Sequence, residues 1–316
     1  MIKSGVLFLS FLLAVGVSSG CGPAGQAVPE QGAPHSQTGQ TVYPLTLQDA
    51  TGNQVTIQSE PQRIVSLLPS QTEILFALGL GDRVVGVDKW SDYPPEAKKK
   101  PVVGAMTIDP ELVLAQKPDL VLGGATADPQ GVAKLRSLGL TVFATEPTNM
   151  AETEQAIETI GKLTNRSQAA VSVIHSMQET VRSIQDKRTA AASQKEPVVY
   201  LEISPDLYTA GKNTFLDELV TLAGGRNAFG EQSGWLKTDG ETVAAKKPDV
   251  ILTTTMGNPQ EIVQDILQRP GWQTIPAVKN KRVIALDPNL VSRPGPRLPE
   301  GFVAIAKAIH PDWFAK

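Results

Sequence analysis

The chain has 316 residues, 41% of them apolar and 19% charged, with a formal net charge of −3. That length suffices for two ordinary domains with separate apolar cores, and the slight acidity leaves no electrostatic footprint for nucleic acid. With one cysteine, Cys21, neither a disulfide framework nor a cysteine metal cluster can form.

Met1 and Lys3 precede an apolar run from Val6 to Val17, which Ser18, Ser19 and Gly20 separate from Cys21. This is the plan of an export signal, and the run is shorter than the ~20 residues a helix needs to cross a bilayer. The Gly-Cys junction resembles a lipobox, with Ser18 where many carry leucine, so residues 1–20 are expected to be removed and Cys21 to be lipidated. From Gly22 to Thr41 the chain is rich in Gly, Pro, Gln and Ser, a composition that offers little burial to offset ordering entropy. Residues 21–41 are therefore read as a lipidated cysteine and a flexible tether, which places the protein outside the cell, anchored to the outer face of the cytoplasmic membrane or periplasmic.

A hairpin is expected first, from the alternation in Tyr43–Leu47 and Val55–Ile57 around Asp49-Ala-Thr-Gly-Asn53. Strands and helices then alternate: strand Ile64–Leu68, helix Thr72–Leu78 closed by Gly79, strand Val84–Val87, helix Pro110–Ala115, strand Leu120–Leu122, helix Val132–Ser137 and strand Thr141–Ala144. Such alternation makes residues 42–163 an α/β lobe with a mostly parallel sheet. From Met150 to about Ala191 no proline occurs, and Gly161 with Thr164-Asn165 marks a break between two helices. The second helix, from Arg166 to about Ala190, would run ~37 Å and could cross a whole domain; the segment 164–192 is read as a linker. Residues 193–316 repeat the alternation as a second α/β lobe.

An internal repeat relates the lobes. Asp109-Pro-Glu-Leu-Val-Leu-Ala-Gln-Lys-Pro-Asp-Leu-Val-Leu122 matches Asp239-Gly-Glu-Thr-Val-Ala-Ala-Lys-Lys-Pro-Asp-Val-Ile-Leu252. In each copy a glutamate opens a helix, and a Pro-Asp turn feeds a buried strand. Either the match reflects convergence on a common helix-to-strand device, or Glu111 and Glu241 hold equivalent, pseudo-symmetric places on the two lobes.

A search for catalytic chemistry finds no constellation. His35, His175 and His310 stand far apart in the sequence, without a metal-binding spacing. The Gly pairs form no Gly-x-Gly-x-x-Gly loop and suit helix ends and tight turns. An exported hydrolase would need an acid, base or metal cluster, and none can be named; the chain is read as a binding module and not an enzyme. The scarce aromatics are more informative. Trp90 and Tyr93, Tyr208, and Trp235 fall in segments read as loops, and loop tips at the open end of an α/β sheet are where ligands bind.

The motifs Arg63-Ile-Val-Ser-Leu-Leu-Pro-Ser-Gln-Thr-Glu73, Gly86-Val-Asp-Lys-Trp-Ser-Asp-Tyr-Pro-Pro95, Lys117-Pro-Asp-Leu-Val121, Tyr208-Thr-Ala-Gly-Lys212, Ala223-Gly-Gly225, Lys247-Pro-Asp-Val-Ile251 and Arg293-Pro-Gly-Pro-Arg297 resemble, in order and spacing, the substrate-binding proteins of ABC importers for cobalamin, iron siderophores and haem. The resemblance implies an α/β fold of two Rossmann-like lobes joined by a single long α-helix, a ligand cleft between the lobes, and a monomer that docks on a permease dimer. By the same resemblance, Glu111 and Glu241 engage basic residues of the permease. The likeness is greatest to the cobalamin branch, which implies that Trp90, Tyr208 and Trp235 clasp a corrin while Ser70, Gln71 and Asn289 bond its peripheral amides. Met106 falls where cobalamin-binding relatives carry a further aromatic, and Asn289 where an acid is found. The cargo would then be cobalamin, with no resident cofactor or metal. A siderophore or haem is the alternative; its anionic groups would call on Arg293 and Arg297, with Lys212 and Lys237 behind them.

Overall fold

The computed structural model describes residues 39–315 apart from Met106 and residues 192–194. The expected signal segment, the lipidation at Cys21 and the ligand contact at Met106 lie outside the described residues.

The first hairpin joins β1 (Leu45–Gln48) to β2 (Gln54–Ile57), antiparallel, with Leu45 opposite Ile57. Its turn is organised by Asp49, whose carboxylate accepts from the Thr51 and Asn53 amides and, across the lobe, from Ala144 N at 3.0 Å, while also pairing with Arg136. Then follow β3 (Ile64–Ser66), α1 (Pro69–Ala77), β4 (Val84–Val87), α2 (Pro110–Ala115), β5 (Leu120–Gly124), α3 (Pro129–Ser137), β6 (Val142–Thr145) and α4 (Met150–Leu163). The four strands β3 to β6 form a parallel sheet in the order β4-β3-β5-β6. Along β5, Leu120 and Leu122 enter one apolar cluster and Val121 the other. A period of two with both faces covered explains why this strand reads as a continuous apolar run.

Helix α5 (Ser167–Ala190) has 24 residues. Its fully buried side chains, Ala170, Met177 and Ile184, recur every seven residues and so share one stripe of the helix. Ala170 and Met177 pack into the first lobe's core, and Ile184 into the second's. One helix therefore contributes to an apolar cluster in each lobe. Against it lies α4, where Gly161 allows close approach: a Cβ there would stand 2.7 Å from Ala170 Cβ. The first residue of α4, Met150, packs into the second lobe's core.

The second lobe runs β7 (Val198–Glu202), β8 (Tyr208–Ala210), α6 (Phe215–Leu222), β9 (Arg226–Asn227), β10 (Trp235–Lys237), α7 (Gly240–Lys246), β11 (Val250–Thr253), α8 (Pro259–Gln268), α9 (Pro276–Lys279), β12 (Val283–Ala285), α10 (Pro288–Val291) and α11 (Leu298–Ile309). Its parallel sheet has the order β12-β11-β7-β9. The architecture is thus two α/β lobes with parallel sheets, bridged by α5.

The sequence repeat is a repeat of structure. Asp109 caps α2 and Asp239 caps α7, each through its carboxylate on backbone amides of the first turn. Lys117 (φ 49°) and Lys247 (φ 50°) then turn the chain in the left-handed region. The following aspartates fasten the next strand to its neighbour in the same way: Asp119 exchanges backbone and carboxylate bonds with Arg63 at 2.9 Å each, and Asp249 does so with Val198 at 2.8 and 2.9 Å.

One expectation is corrected. Tyr208 and Trp235, read as loop residues, stand on β8 and β10, which pair antiparallel with Trp235 opposite Ala210 and Lys237 opposite Tyr208. Three-residue strands are too short to show a period of two, and their partners lie more than twenty residues apart, so local pattern had nothing to register.

Candidate functional site

Several connections that follow parallel strands meet the partner lobe, the usual place for a ligand in an open α/β sheet. β3 leads into Pro69 and Ser70 at the start of α1, β4 into the Asp88–Tyr93 loop, β6 into Glu146–Thr148. From the second lobe come Asn213–Leu216, Trp235 and the segment after α10. Between the lobes lies a cavity of about 310 Å³, lined on one side by Glu146, Pro147 and Thr148 and on the other by Asn213 to Leu216, Trp235, Val291, Ser292 and Pro294. Larger hollows occur elsewhere, including one of about 830 Å³ beside Glu241. Of the four aromatics singled out by sequence, Trp235 lines the interlobe cavity, and Arg293, between the lining residues Ser292 and Pro294, reaches from its edge to the Trp90 loop.

Trp90, Tyr93, Tyr208 and Trp235 retain 49%, 42%, 43% and 58% of their accessible surface. Half the tryptophans and tyrosines of the chain are therefore left open to solvent, two from each lobe, although burial of each would contribute substantially to folding. These four rings are therefore available for contact with a ligand. Met256, on the connection after β11, is 73% exposed; no motif pointed to it.

The Trp90 loop is rigidly based. Buried Asp88 accepts from Trp90 N at 2.8 Å and from Ser91 Oγ. Ser91 Oγ meets Thr72 Oγ1 at 2.7 Å, and Thr72 donates to Ser66 Oγ at 2.9 Å. Burial pushes the Asp88 carboxyl above the usual range despite the bonds from Ser91 and the Trp90 amide and the charge of Arg293.

The polar residues expected to touch ligand are placed differently from the aromatics. Gln71 is buried, and its amide nitrogen donates to Gly123 O at 2.7 Å and Thr145 Oγ1 at 2.9 Å, tying together the ends of β5 and β6. Its Oε1 has no partner among the described residues, and its amide nitrogen joins two strand ends beside the cleft. Ser70 is also largely buried, while Asn289 is half-buried on α10. Arg293 is committed elsewhere: it donates to Glu73 Oε1 at 3.2 Å, Asp92 Oδ1 at 2.7 Å and Trp90 O at 3.1 Å. Arg297 forms a bidentate pair with Glu73, at 2.9 and 2.6 Å, and its guanidinium lies 3.7 Å from the Tyr93 ring centroid. Burial opposes the charge on Arg297, yet the Glu73 bond and charge raise its affinity for the proton. Burial likewise acts against the Asp92 carboxylate, but Arg293 holds it below its ordinary range. The two arginines expected to serve an anionic ligand are thus already paired with carboxylates of the other lobe. Lys237 meets Asp206 at 3.3 Å.

Glu73 is the buried acid at this site that the pattern left unassigned. An acid inside the apolar helix Pro69–Ala77 is a legible signal, because a buried carboxylate requires a cation, but its partners lie 220 residues away. Glu111 and Glu241 are exposed in the first turns of α2 and α7 and have no ion partner among the described residues.

Comparison with known proteins agrees with this geometry. Residues 64–290 match the family model described as periplasmic binding protein. This chain belongs to that family. A substrate-binding lipoprotein of an ABC transporter from Bacillus subtilis strain 168, YvrC, itself uncharacterised, is 38% identical over 99% of both chains. A cobalamin-binding protein of Halobacterium salinarum is 32% identical over 91% of this chain and 80% of its own. Among solved structures, the periplasmic haem-binding protein RhuT from Roseiflexus sp. RS-1 superposes with a TM-score of 0.70 at 29% identity, covering 80% of this chain and 99% of that one. The family consists of extracytoplasmic solute-binding proteins, not enzymes; its members bind a small molecule and work with a membrane permease. The chain is an ABC-transporter substrate-binding protein, and its relatives include proteins named for cobalamin and for haem.

Proposed function

We propose that the cargo is cobalamin, captured outside the cell and delivered to an ABC permease by a monomer held to the membrane through lipid on Cys21. The observation that supports this reading is the combination of open aromatics with neutralised arginines. A corrin with peripheral amides presents a broad, largely uncharged surface suited to stacking on Trp90, Tyr208 and Trp235. Haem propionates or an anionic siderophore would be better served by free guanidinium groups, whereas Arg293 and Arg297 are paired within the protein. The cavity, near the lower end of the ~300–1,000 Å³ typical of ligand sites, suits a ligand that lies across its mouth against exposed rings. In the same reading Glu111 and Glu241 meet basic residues of the permease.

Calorimetric titration of the purified chain with cyanocobalamin, haem and a ferric hydroxamate siderophore in parallel tests the cargo. One-to-one binding of cyanocobalamin in preference to the other two is the expected result. Heat from haem or the siderophore with none from cyanocobalamin would retain transport and replace the cargo.

A further inference from the structure

The segment Arg293-Pro-Gly-Pro-Arg297 reaches from the second lobe onto α1 of the first. Its two prolines fix φ on either side of Gly295, so the two arginines are held at a set spacing, and that spacing brings both onto one carboxylate. Gly295 lies close over α1: a Cβ on it would stand 3.5 Å from Ser70 O and 3.7 Å from Glu73 Oε2. Glu73 is only 3% exposed, and both of its oxygens are bonded by guanidinium groups of the other lobe. Arg293 continues to Asp92 Oδ1 and Trp90 O, and Arg297 stacks on Tyr93. Five charge-assisted bonds and a cation–π contact thus cross between the lobes, and those beyond Glu73 all end on the loop that carries Trp90.

We propose that Glu73, Asp92, Arg293 and Arg297 form an interlobe clamp that sets the lobe spacing before ligand arrives and positions Trp90, making Arg293 a positioning residue and not a ligand contact. The inference rests on the interlobe cleft being the binding site, but on no particular cargo. Separating the lobes would break every one of these bonds. On the other flank Glu218 Oε2 accepts from Met150 N at 3.0 Å, and α5 spans both cores, so the lobes are fastened at three places. A ligand can shift a conformational equilibrium only by its differential affinity for the two states. With the clamp intact the binding-competent arrangement already dominates, and binding energy is not diverted into closing the cleft.

The test is an interlobe distance distribution measured by electron spin resonance on the full chain carrying Cys21→Ser, with spin labels at Ser137→Cys in the first lobe and Lys279→Cys in the second. Without ligand, the otherwise native chain should give one narrow distance, unchanged by cyanocobalamin. Arg293→Gln, which leaves the Glu73 to Arg297 pair in place and preserves folding, should broaden it; the double variant Arg293→Gln with Arg297→Gln should broaden it further. Variants as narrow as the native chain would overturn the clamp. Cyanocobalamin affinity in Arg293→Gln should fall about ten-fold, as expected if the competent arrangement drops to about a tenth of the molecules, and saturating ligand should restore the native distance. Weakened affinity with an unaltered ligand-free distance would make Arg293 a ligand contact and end the positioning role. If the native chain fails to bind cyanocobalamin, the cargo reading falls while the ligand-free distances still decide the clamp.

Discussion

Trp90 and Trp235 give the proposed site its apolar grip from opposite lobes. Truncation of either to alanine should weaken cyanocobalamin binding by at least ten-fold, or about 1.4 kcal/mol, with unfolding unchanged because both rings are already largely exposed. Calorimetry paired with a urea transition separates the two effects. Asp49 is the opposite case, a residue whose whole role is internal. Burial opposes its charge, but bonds from the Thr51 hydroxyl and from the Ala144 and Thr51 amides, with Arg136, outweigh burial and lower its affinity for the proton. A carboxyl depressed in the folded state contributes stability that is complete above its unfolded value of about 3.9 and is lost as pH falls through the folded value. The urea midpoint of the native chain should therefore drop more steeply below pH 4 than that of Asp49→Asn. At neutral pH, Asp49→Ala should cost about 3 kcal/mol, the scale for removing one partner of a buried ion pair.

Among the elements, α5 gives the molecule its two-lobed form. Its buried stripe is sparse because most of the helix faces solvent, and the three residues that are buried connect three-dimensionally separate cores. The α4–α5 contact depends on Gly161. Alanine there would place Cβ 2.7 Å from Ala170 Cβ and 3.2 Å from Arg166 O, so the helices must part, at a cost of about 1–3 kcal/mol. Chemical denaturation of Gly161→Ala measures it; a variant as stable as the native chain would show that the pair has room to relax. The ribbon of β8 and β10 has a comparable close approach at Gly211, where a Cβ would meet Gln232 O at 2.1 Å. That approach sets the two strands side by side and presents Tyr208 and Trp235 on one small sheet.

For the whole molecule, the duplicated helix-turn-strand device places Glu111 and Glu241 at equivalent exposed positions on the two lobes. A fixed separation between them would suit a two-fold permease, and charge complementarity there would contribute orientation more than affinity. Reversing both, Glu111→Lys with Glu241→Lys, should abolish ligand uptake by cells while leaving calorimetric affinity within two-fold of native; preserved uptake would remove the docking role. The interlobe clamp bears on the same delivery step, since a permease that pulls the lobes apart must first break the bonds to Glu73.

Much of this was legible in the chain because it is written in local pattern. The strands Val84–Val87 and Val250–Thr253 and the helix Pro110–Ala115 follow from periodicity, Pro at the first helical turn and aspartate caps, all of which act within a few residues. The linking helix followed from a long proline-free run, and the pairing of Glu111 with Glu241 from an internal repeat. What the tertiary structure decided is of another kind. The ribbon that carries Tyr208 and Trp235, the tie between Gln71 and two strand ends, and the capture of Arg293 and Arg297 by Glu73 all join residues distant in sequence. Periodicity carries no information about such partners, since a buried charge announces in sequence only that it needs a counter-ion, and folding alone determines which one it meets.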